Sequence, residues 1–558
     1  MGIHRFYPWF KTNFGKHLKD VKMPSDSSAT QVDNFMIDLN GIFHTSCQRI
    51  YKYGNFKQSK RLISSTSLSL KNRDIDVFKD VCFEIERLLK FIIPKKRLIL
   101  AVDGVAPICK QTQQRQRRFK SAHEQVNSNS NEQEFDSCMI SPGTLFMHNL
   151  TCYIENFIKQ KIISDQLWSN IEIIFSNEKV PSEGEQKCLQ FVRHNKVKNP
   201  EENYCIHGMD ADLIMLALSS HSPFYILREN IYESGFHLID ISGVALDLVK
   251  LMDWGANNDT NKKFISDRAI DDFVFLCFVV GNDFLPHIPS IEIAEGGIDI
   301  MLEVYRKVGL DYGHLTRIHN NNILFVKKSL EIFFYELSTY EKGMFEDKIN
   351  SNTVFFPHPI IDRNTFFDKD TGFKLINYEK FSEDYYITNF GTTDIKSICL
   401  EYLEGMQWVI TYYNKKVPCW NWCYKYNYAP LAKDLAKYVK DFRFKDYSLN
   451  SSSPNEPFQQ LLSIMSPKSS YLIPSPLKEL MLLDTSPLKE YYPETFEIDI
   501  AGKRKAWEGK AILPIINQER LSIAYKSYIS KVDPSLNFLN ISKKPVKYVN
   551  GNIIEFEL

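Results

Sequence analysis

Seven acidic residues lie where an apolar run gives way to glycine, asparagine or proline: Asp38, Asp103, Glu183, Glu185, Asp210, Asp212 and Asp283. FMIDLNGIFH ends an apolar run at Asp38 before Asn40-Gly41, and RLILAVDGVAP sets Asp103 before Gly104. VPSEGEQK carries Glu183 and Glu185, NYCIHGMDADLIMLAL carries Asp210 and Asp212 after Gly208, and FVFLCFVVGNDF carries Asp283 after Gly281-Asn282. Carboxylates gathered together raise one another's pKa unless cations neutralise them. Mg²⁺ or Mn²⁺ suits such a set, since hard ions take carboxylate oxygen, and the sequence shows no zinc-like Cys/His cluster. Two such ions about 3.5–4 Å apart activate a water and stabilise the leaving oxygen of a phosphodiester. Any one Asp-x-Asp or Glu-x-Glu reads equally well as a solvated loop face. The recurrence at successive element ends is what points to a metal site.

After Asp103 comes CKQTQQRQRRFKSA, with five basic residues and no acid from Lys110 to Lys120. Lys110, Gln114, Arg117 and Arg118 stand at i, i+4, i+7 and i+8, one face of a helix. Such a face can hold a terminal phosphate through charge-assisted bonds, although a solvated helix has the same composition. Further on, Tyr412, Tyr413, Trp420, Trp422, Tyr424, Tyr426 and Tyr428 alternate with Lys415, Lys416 and Lys425. The mixture suits base stacking beside phosphates, and equally a dry aromatic core. His44, after Asn40-Gly41, either faces the same crevice or packs locally.

These residues need elements to position them. Phe35–Asp38, Arg97–Asp103 and Tyr204–His207 read as buried strands with polar carboxyl ends, while Phe273–Val280 suits a strand or a helix. Helices are expected over Asp76–Lys90 and Lys110–Glu124. Strands alternating with helices imply an α/β domain, whose ligands lie beyond the carboxyl ends of the strands. The polar stretch 127–136 reads as a loop, and proline-rich 466–487 as extended chain or short helices. Composition shifts give a first domain over 1–349, a linker at 350–370, an aromatic-rich second region over 371–530 and a short tail at 531–558.

With 558 residues, 44% hydrophobic and 24% charged, the chain is neither disordered nor fibrous. Its 68 basic and 68 acidic residues cancel, so any polyanion must be held by locally sorted charge. Eleven cysteines without a CxxC pair imply a reducing compartment. No apolar run is long enough to span a membrane, and the charged, aromatic opening residues lack the apolar core of a secretion signal.

These motifs resemble those of the 5'-to-3' exoribonuclease (XRN) family. The resemblance is carried by MGIHRFYPWF, IDLNGIFH, AVDGVAPICKQTQQRQRRFKSA, SPGTLFM, VPSEGEQK, HGMDADLIMLAL, FVVGNDFLPHIP, EGMQWVITYYNKKVPCWNWCYKYNYAP, PFQQLLSIMSP and YYPETFEIDIAGKRKAWEGKAILPII, in the family's order. It implies a PIN/FEN-like α/β nuclease core with a central, mostly parallel sheet, followed by a mainly helical, aromatic-rich second region. It also implies processive 5'-to-3' hydrolysis of uncapped, 5'-monophosphorylated RNA to nucleoside 5'-monophosphates, using two divalent cations, Mg²⁺ or Mn²⁺. The seven acids fall on the family's metal site and Lys110, Gln114, Arg117 and Arg118 on its 5'-phosphate pocket. His44 falls on its base-stacking histidine, and Trp422, favoured over Trp420, on the aromatic partner. Single-stranded RNA and decapping machinery are the implied partners, in the cytoplasm rather than the nucleus. The chain ends where relatives continue into accessory domains, and its Asn-, Lys- and Ile-rich usage fits an AT-rich genome, as of a protist or large DNA virus. Rival readings are a structure-specific flap endonuclease and a catalytically idle RNA-binding scaffold.

Overall fold

The computed structural model describes residues 5–27, 30–56, 70–127, 135–230, 233–255, 263–351, 353, 355–444, 452–549 and 552–556. Most of the polar stretch 127–136 therefore lies outside the described residues.

Nine strands form the main sheet: β1 (Leu18–Val21), β2 (Val32–Asp38), β3 (Pro94–Ala101), β4 (Glu172–Ser176), β5 (Tyr204–His207), β6 (Phe224–Glu229), β7 (Phe236–Asp240), β8 (Val546–Val549) and β9 (Asn552–Glu555). Their spatial order is β1-β7-β6-β5-β2-β3-β4-β8-β9. The five central strands from β6 to β4 run parallel, and the flanking pairs are antiparallel. The chain lays β3 and β4 to one side of β2 and then returns to place β5 and β6 on the other. The carboxyl ends of β2 and β5 thus bracket the topological switch point, where open α/β sheets bind ligands.

Parallel strands covered on both faces need apolar side chains on both, and alternation supplies them. Met36, Ile99, Ile174 and Ile206 enter one core, with the helices Gly184–Lys198, Asp212–Ser219 and Ser266–Val279 and the aromatic helix Ile395–Asn414. Phe35, Ile37, Leu98, Leu100, Phe175 and Cys205 enter the other, with the helices Leu39–Tyr51, Leu70–Phe91 and Leu145–Ser164. The run Phe273–Val280 is helical through Val279, and the basic segment is the helix Ile108–Asn127.

Beyond the sheet the chain is mainly helical. Residues 359–367 of the expected linker form the helix Pro359–Arg363 and the strand Thr365–Phe367, and Ile360 and Ile361 pack with Phe345 and Phe381. The tail contributes β8, which pairs with β4 and extends the sheet. The eleven cysteines are free, and no described helix is long and apolar enough to cross a membrane.

Gly104 lets the loop after β3 pass against the chain before Glu183. A Cβ there would lie 1.8 Å from the Val180 carbonyl oxygen and 2.7 Å from its carbon, both backbone. At Gly208 a Cβ would meet only the movable Leu213 side chain, at 2.4 Å. Gly104→Ala is therefore expected to cost at least about 1–3 kcal/mol and lower the apparent Tm by several degrees, and Gly208→Ala distinctly less. Thermal melts of both variants against the parent check the ranking.

Candidate active site

Asp38 closes β2 and caps the following helix, its Oδ1 accepting the Asn40 N–H at 3.2 Å. Asn40 in turn accepts the backbone N–H of Asp103 through its own Oδ1 at 2.9 Å. The Asp103 carboxylate accepts the Gly184 N–H at 2.7 Å, so it meets the positive end of the helix Gly184–Lys198. Gly184 is required for this approach, because a Cβ would stand 2.5 Å from Asp38 Oδ1. Glu183 and Glu185 flank that glycine and are both buried.

The Asp210-Ala211-Asp212 segment bends into the helix Asp212–Ser219, which leaves Asp210 exposed and Asp212 buried. Carboxylate oxygens of Glu185, Asp210 and Asp212 all lie within 4.8 Å of one another. Burial, then Asp103, holds the Asp38 carboxyl well above the ordinary range. Burial also raises Glu183, and burial with Asp212 and Glu183 raises Glu185 strongly. Asp212 is pushed up to about 7 by burial, then by Asp210 and Asp283, and its Oδ1 has no hydrogen-bond partner among the described residues. Clustered, mutually repelling carboxylates form a donor set suited to hard divalent cations, so these residues fit the implied metal.

Lys110 supplies a cation within this set. Its Nζ stands 2.5 Å from Glu183 Oε2 and 2.6 Å from Asp283 Oδ2. Burial opposes ionisation of Asp283, yet the adjacent Lys110 outweighs it and holds the carboxyl down to about 2. Burial likewise disfavours the charged lysine, but Asp283 and Glu183 raise it well above its ordinary value. The second oxygen of Glu183 accepts the Tyr412 hydroxyl at 2.5 Å.

A cavity of about 820 Å³ joins these acids to the basic helix. Asp38, Asp103, Glu183, Glu185 and Asp210 line it with Lys110, Gln114, Arg117, Arg118 and His44, so most of the residues singled out in the sequence share one chamber. Asp212 and Asp283 do not line it: Asp212 joins Glu185 and Asp210 in the carboxylate cluster, and Asp283, which lines a separate cavity, is held by Lys110. Arg118 is anchored by Ser141 Oγ at 2.7 Å, whereas Arg117 is exposed and forms no hydrogen bond or ion pair among the described residues. Arg115, on another face of the helix, turns into the core toward the carbonyls of Ser463 and Tyr491. Burial, then Arg117 and Arg118, lowers His44 to about 4, leaving a neutral imidazole beside two guanidiniums.

The aromatic segment is placed differently. Trp422 stacks on Trp408 with ring centroids 5.1 Å apart, and Trp408 stacks on Tyr412 at 5.1 Å. Neither Trp422 nor Trp420 lines the chamber; the Trp420 carbonyl instead accepts the Ile108 N–H at the start of the basic helix. The sequence reading missed Asn40, Lys468 and Tyr471, which line the chamber, and the anchoring role of Tyr412. Only Asn40 had a local signal, its place directly after the Asp38 strand end.

Carboxylates and a cationic helix thus share one chamber. Family comparison carries this further: the description "XRN 5'-3' exonuclease N-terminus" matches residues 1–230, and "Xrn1 helical domain" matches residues 263–370 and 368–553. The chain belongs to the XRN 5'-3' exonuclease family. Its relatives include 5'-3' exoribonuclease 1 of Schizosaccharomyces pombe, 28% identical over 94% of this chain and 48% of the relative. The human 5'-3' exoribonuclease 1 is 28% identical over 93% of this chain and 34% of its own length. For 5'-3' exoribonuclease 2 of Arabidopsis thaliana the identity is 28% over 93% and 66%. The chain thus spans from about a third to two thirds of the length of these relatives. Among solved structures, the catalytic core of Rad2 in complex with DNA substrate covers 80% of this chain and 96% of its own at 14% identity, with a TM-score of 0.33. At that score the likeness has no bearing on function.

The raised Asp212 carboxyl gives a signed prediction. Between its ordinary 3.8 and about 7 the folded protein keeps a proton that the unfolded chain has released. This contribution to stability is therefore full below 3.8 and is lost as pH rises through about 7. Without metal, Asp212→Asn should gain apparent Tm relative to the parent on going from pH 5 to pH 8, and Mn²⁺ should reverse that gain by stabilising only the parent. Melting curves at both pH values, with EDTA and with Mn²⁺, provide the check.

Proposed function

We propose that the chain is a 5'-to-3' exoribonuclease that removes nucleoside 5'-monophosphates processively from uncapped RNA bearing a 5' monophosphate. The observation that carries this reading is the single chamber holding strand-end carboxylates on one side and an unpaired arginine on the other. Divalent cations, Mg²⁺ or Mn²⁺, held by Glu185, Asp210 and Asp212 with Asp38, Asp103, Glu183 and Asp283, would supply the positive charge that phosphodiester hydrolysis needs.

The protein's own groups do the rest. Arg117 and Arg118 bind the terminal phosphate, with Gln114 beside them, and Lys110 links that pocket to the acids. His44, neutral and next to the arginines, stacks on a terminal base; Trp422, whose ring lies on Trp408 outside the chamber lining, would partner it only by turning toward the chamber. Asn40 and the Gly184 N–H orient Asp103, and the Tyr412 hydroxyl orients Glu183. A phosphate-sized pocket at the chamber's end fixes the distance from the RNA terminus to the acids, so a cap or triphosphate displaces the first linkage, and small displacements are expensive. Uncapped ends imply decapping activity upstream, and free cysteines suit a reducing cytoplasm.

The test compares RNAs with 5'-monophosphate, 5'-hydroxyl, triphosphate and cap, with and without Mg²⁺. Mononucleotide products that require a monophosphate and Mg²⁺ are expected, whereas oligonucleotide flaps would favour an endonuclease. Arg117→Gln together with Arg118→Gln should reduce kcat/KM on monophosphate RNA by roughly 10- to 100-fold or more, from about 1.5–3 kcal/mol per charged hydrogen bond. On 5'-hydroxyl RNA the loss should be much smaller. Equal fractional losses at matched salt would make the arginines general backbone contacts.

A further inference from the structure

A second cavity, of about 360 Å³, lies across Arg117 from the acid-lined chamber. On the basic helix, Lys110, Gln114, Arg117 and Arg118 face the chamber, whereas Gln113, Gln116, Arg117 and Lys120 face the second cavity. The latter positions are i, i+3, i+4 and i+7, a neighbouring stripe of the same helix. Arg117 belongs to both walls.

The second wall is strongly cationic. Arg5, Arg117, Lys120, Lys503, Arg504 and Lys510 face two acids, Glu292 and Glu508. Glu292 holds Lys348 at 2.5 Å, Glu508 pairs with Arg5 at 3.6 Å and accepts the backbone N–H groups of Arg504 at 2.9 Å and Lys505 at 3.2 Å, and Arg504 is itself paired with Glu295 at 3.4 Å. Lys120 is committed to the carbonyls of Trp507 and Gly509, and Lys510 to that of Asn427. Lys503, like Arg117, forms no side-chain hydrogen bond or ion pair among the described residues. Burial, with Lys503 next in effect, lowers Lys510 to about 8, although Asp499 acts in the opposite direction. Trp507 lines the same cavity with 62% of its surface exposed. Unpaired cations beside an exposed indole match a phosphate joined to a base, and the volume suits one small molecule rather than a length of strand.

We propose that this cavity binds a nucleoside 5'-monophosphate and is the route by which the product leaves. The inference rests on the exoribonuclease reading. After each cleavage the phosphate held by Arg117 and Arg118 belongs to the released nucleotide, while the shortened RNA still fills the mouth by which it came in. An unanchored guanidinium common to both walls can follow that phosphate from one to the other, and Lys503 receives it. No bond changes in this step.

Lys503→Glu, the milder Lys503→Gln and Trp507→Ala test the proposal. With enzyme in excess, the first nucleotide should be released from 5'-monophosphate RNA at the parent's rate. Steady-state turnover on long RNA should fall about 10-fold for Lys503→Glu, and affinity for added AMP, measured by calorimetry, should weaken by a similar factor. Lys503→Gln should lie between this variant and the parent, and its Tm separates the effect from misfolding. Equal losses in single-turnover and steady-state rates would make the cavity an RNA contact and overturn the proposal. Unchanged turnover and AMP affinity in all three variants would overturn it as well. If the parent itself fails to cleave in the single-turnover arm, the exoribonuclease reading fails, a result distinct from either.

Discussion

Carboxylates buried at one point repel each other and lose hydration together, and neither cost is met unless cations arrive. This chain gathers seven acids around one switch point, with Glu185, Asp210 and Asp212 sharing a space only 4.8 Å across. Burial pushes the carboxyls of Asp38, Glu183, Glu185 and Asp212 upward. Lys110 relieves one edge by standing between Glu183 and Asp283. The remainder of the set is a donor group that fits hard divalent cations.

The elements around it hold the acids where that charge is needed. The ends of β2 and β5 bring in Asp38 and the Asp210–Asp212 turn, while glycine at 104 and 184 lets backbone pass where any side chain would collide. The second region completes the site: Gln460 Oε1 accepts the Ala106 N–H at 2.7 Å, the Trp420 carbonyl accepts the Ile108 N–H at 2.9 Å, and Tyr412 reaches Glu183. The loop joining Asp103 to Lys110 is therefore tied down from more than 300 residues away. Spacing between the acids and the basic helix is a property of both regions together.

Local pattern made much of this legible. Apolar runs closing on Asp38, on Val102 before Asp103 and on His207 identified three central strands, and the i, i+4, i+7, i+8 spacing put Lys110, Gln114, Arg117 and Arg118 on one helical face. Long-range pairing was not legible. An eight-residue apolar run such as Phe273–Val280 suits either period, and its burial on a helix is decided by the partners it meets. Trp422 lies against Trp408 and Tyr412 binds an acid because the aromatic helix docks on the sheet's own core, which aromatic content alone does not reveal. The tail's β8 is set by the free edge of β4, and nothing within residues 531–558 announces that partner.

Anomalous diffraction from crystals grown with saturating Mn²⁺ tests the central claim most directly. The account predicts manganese peaks among the carboxylates of Glu185, Asp210 and Asp212 and their neighbours Asp38, Asp103, Glu183 and Asp283. Absence of any peak there, with Lys110 still spanning Glu183 and Asp283, would contradict it.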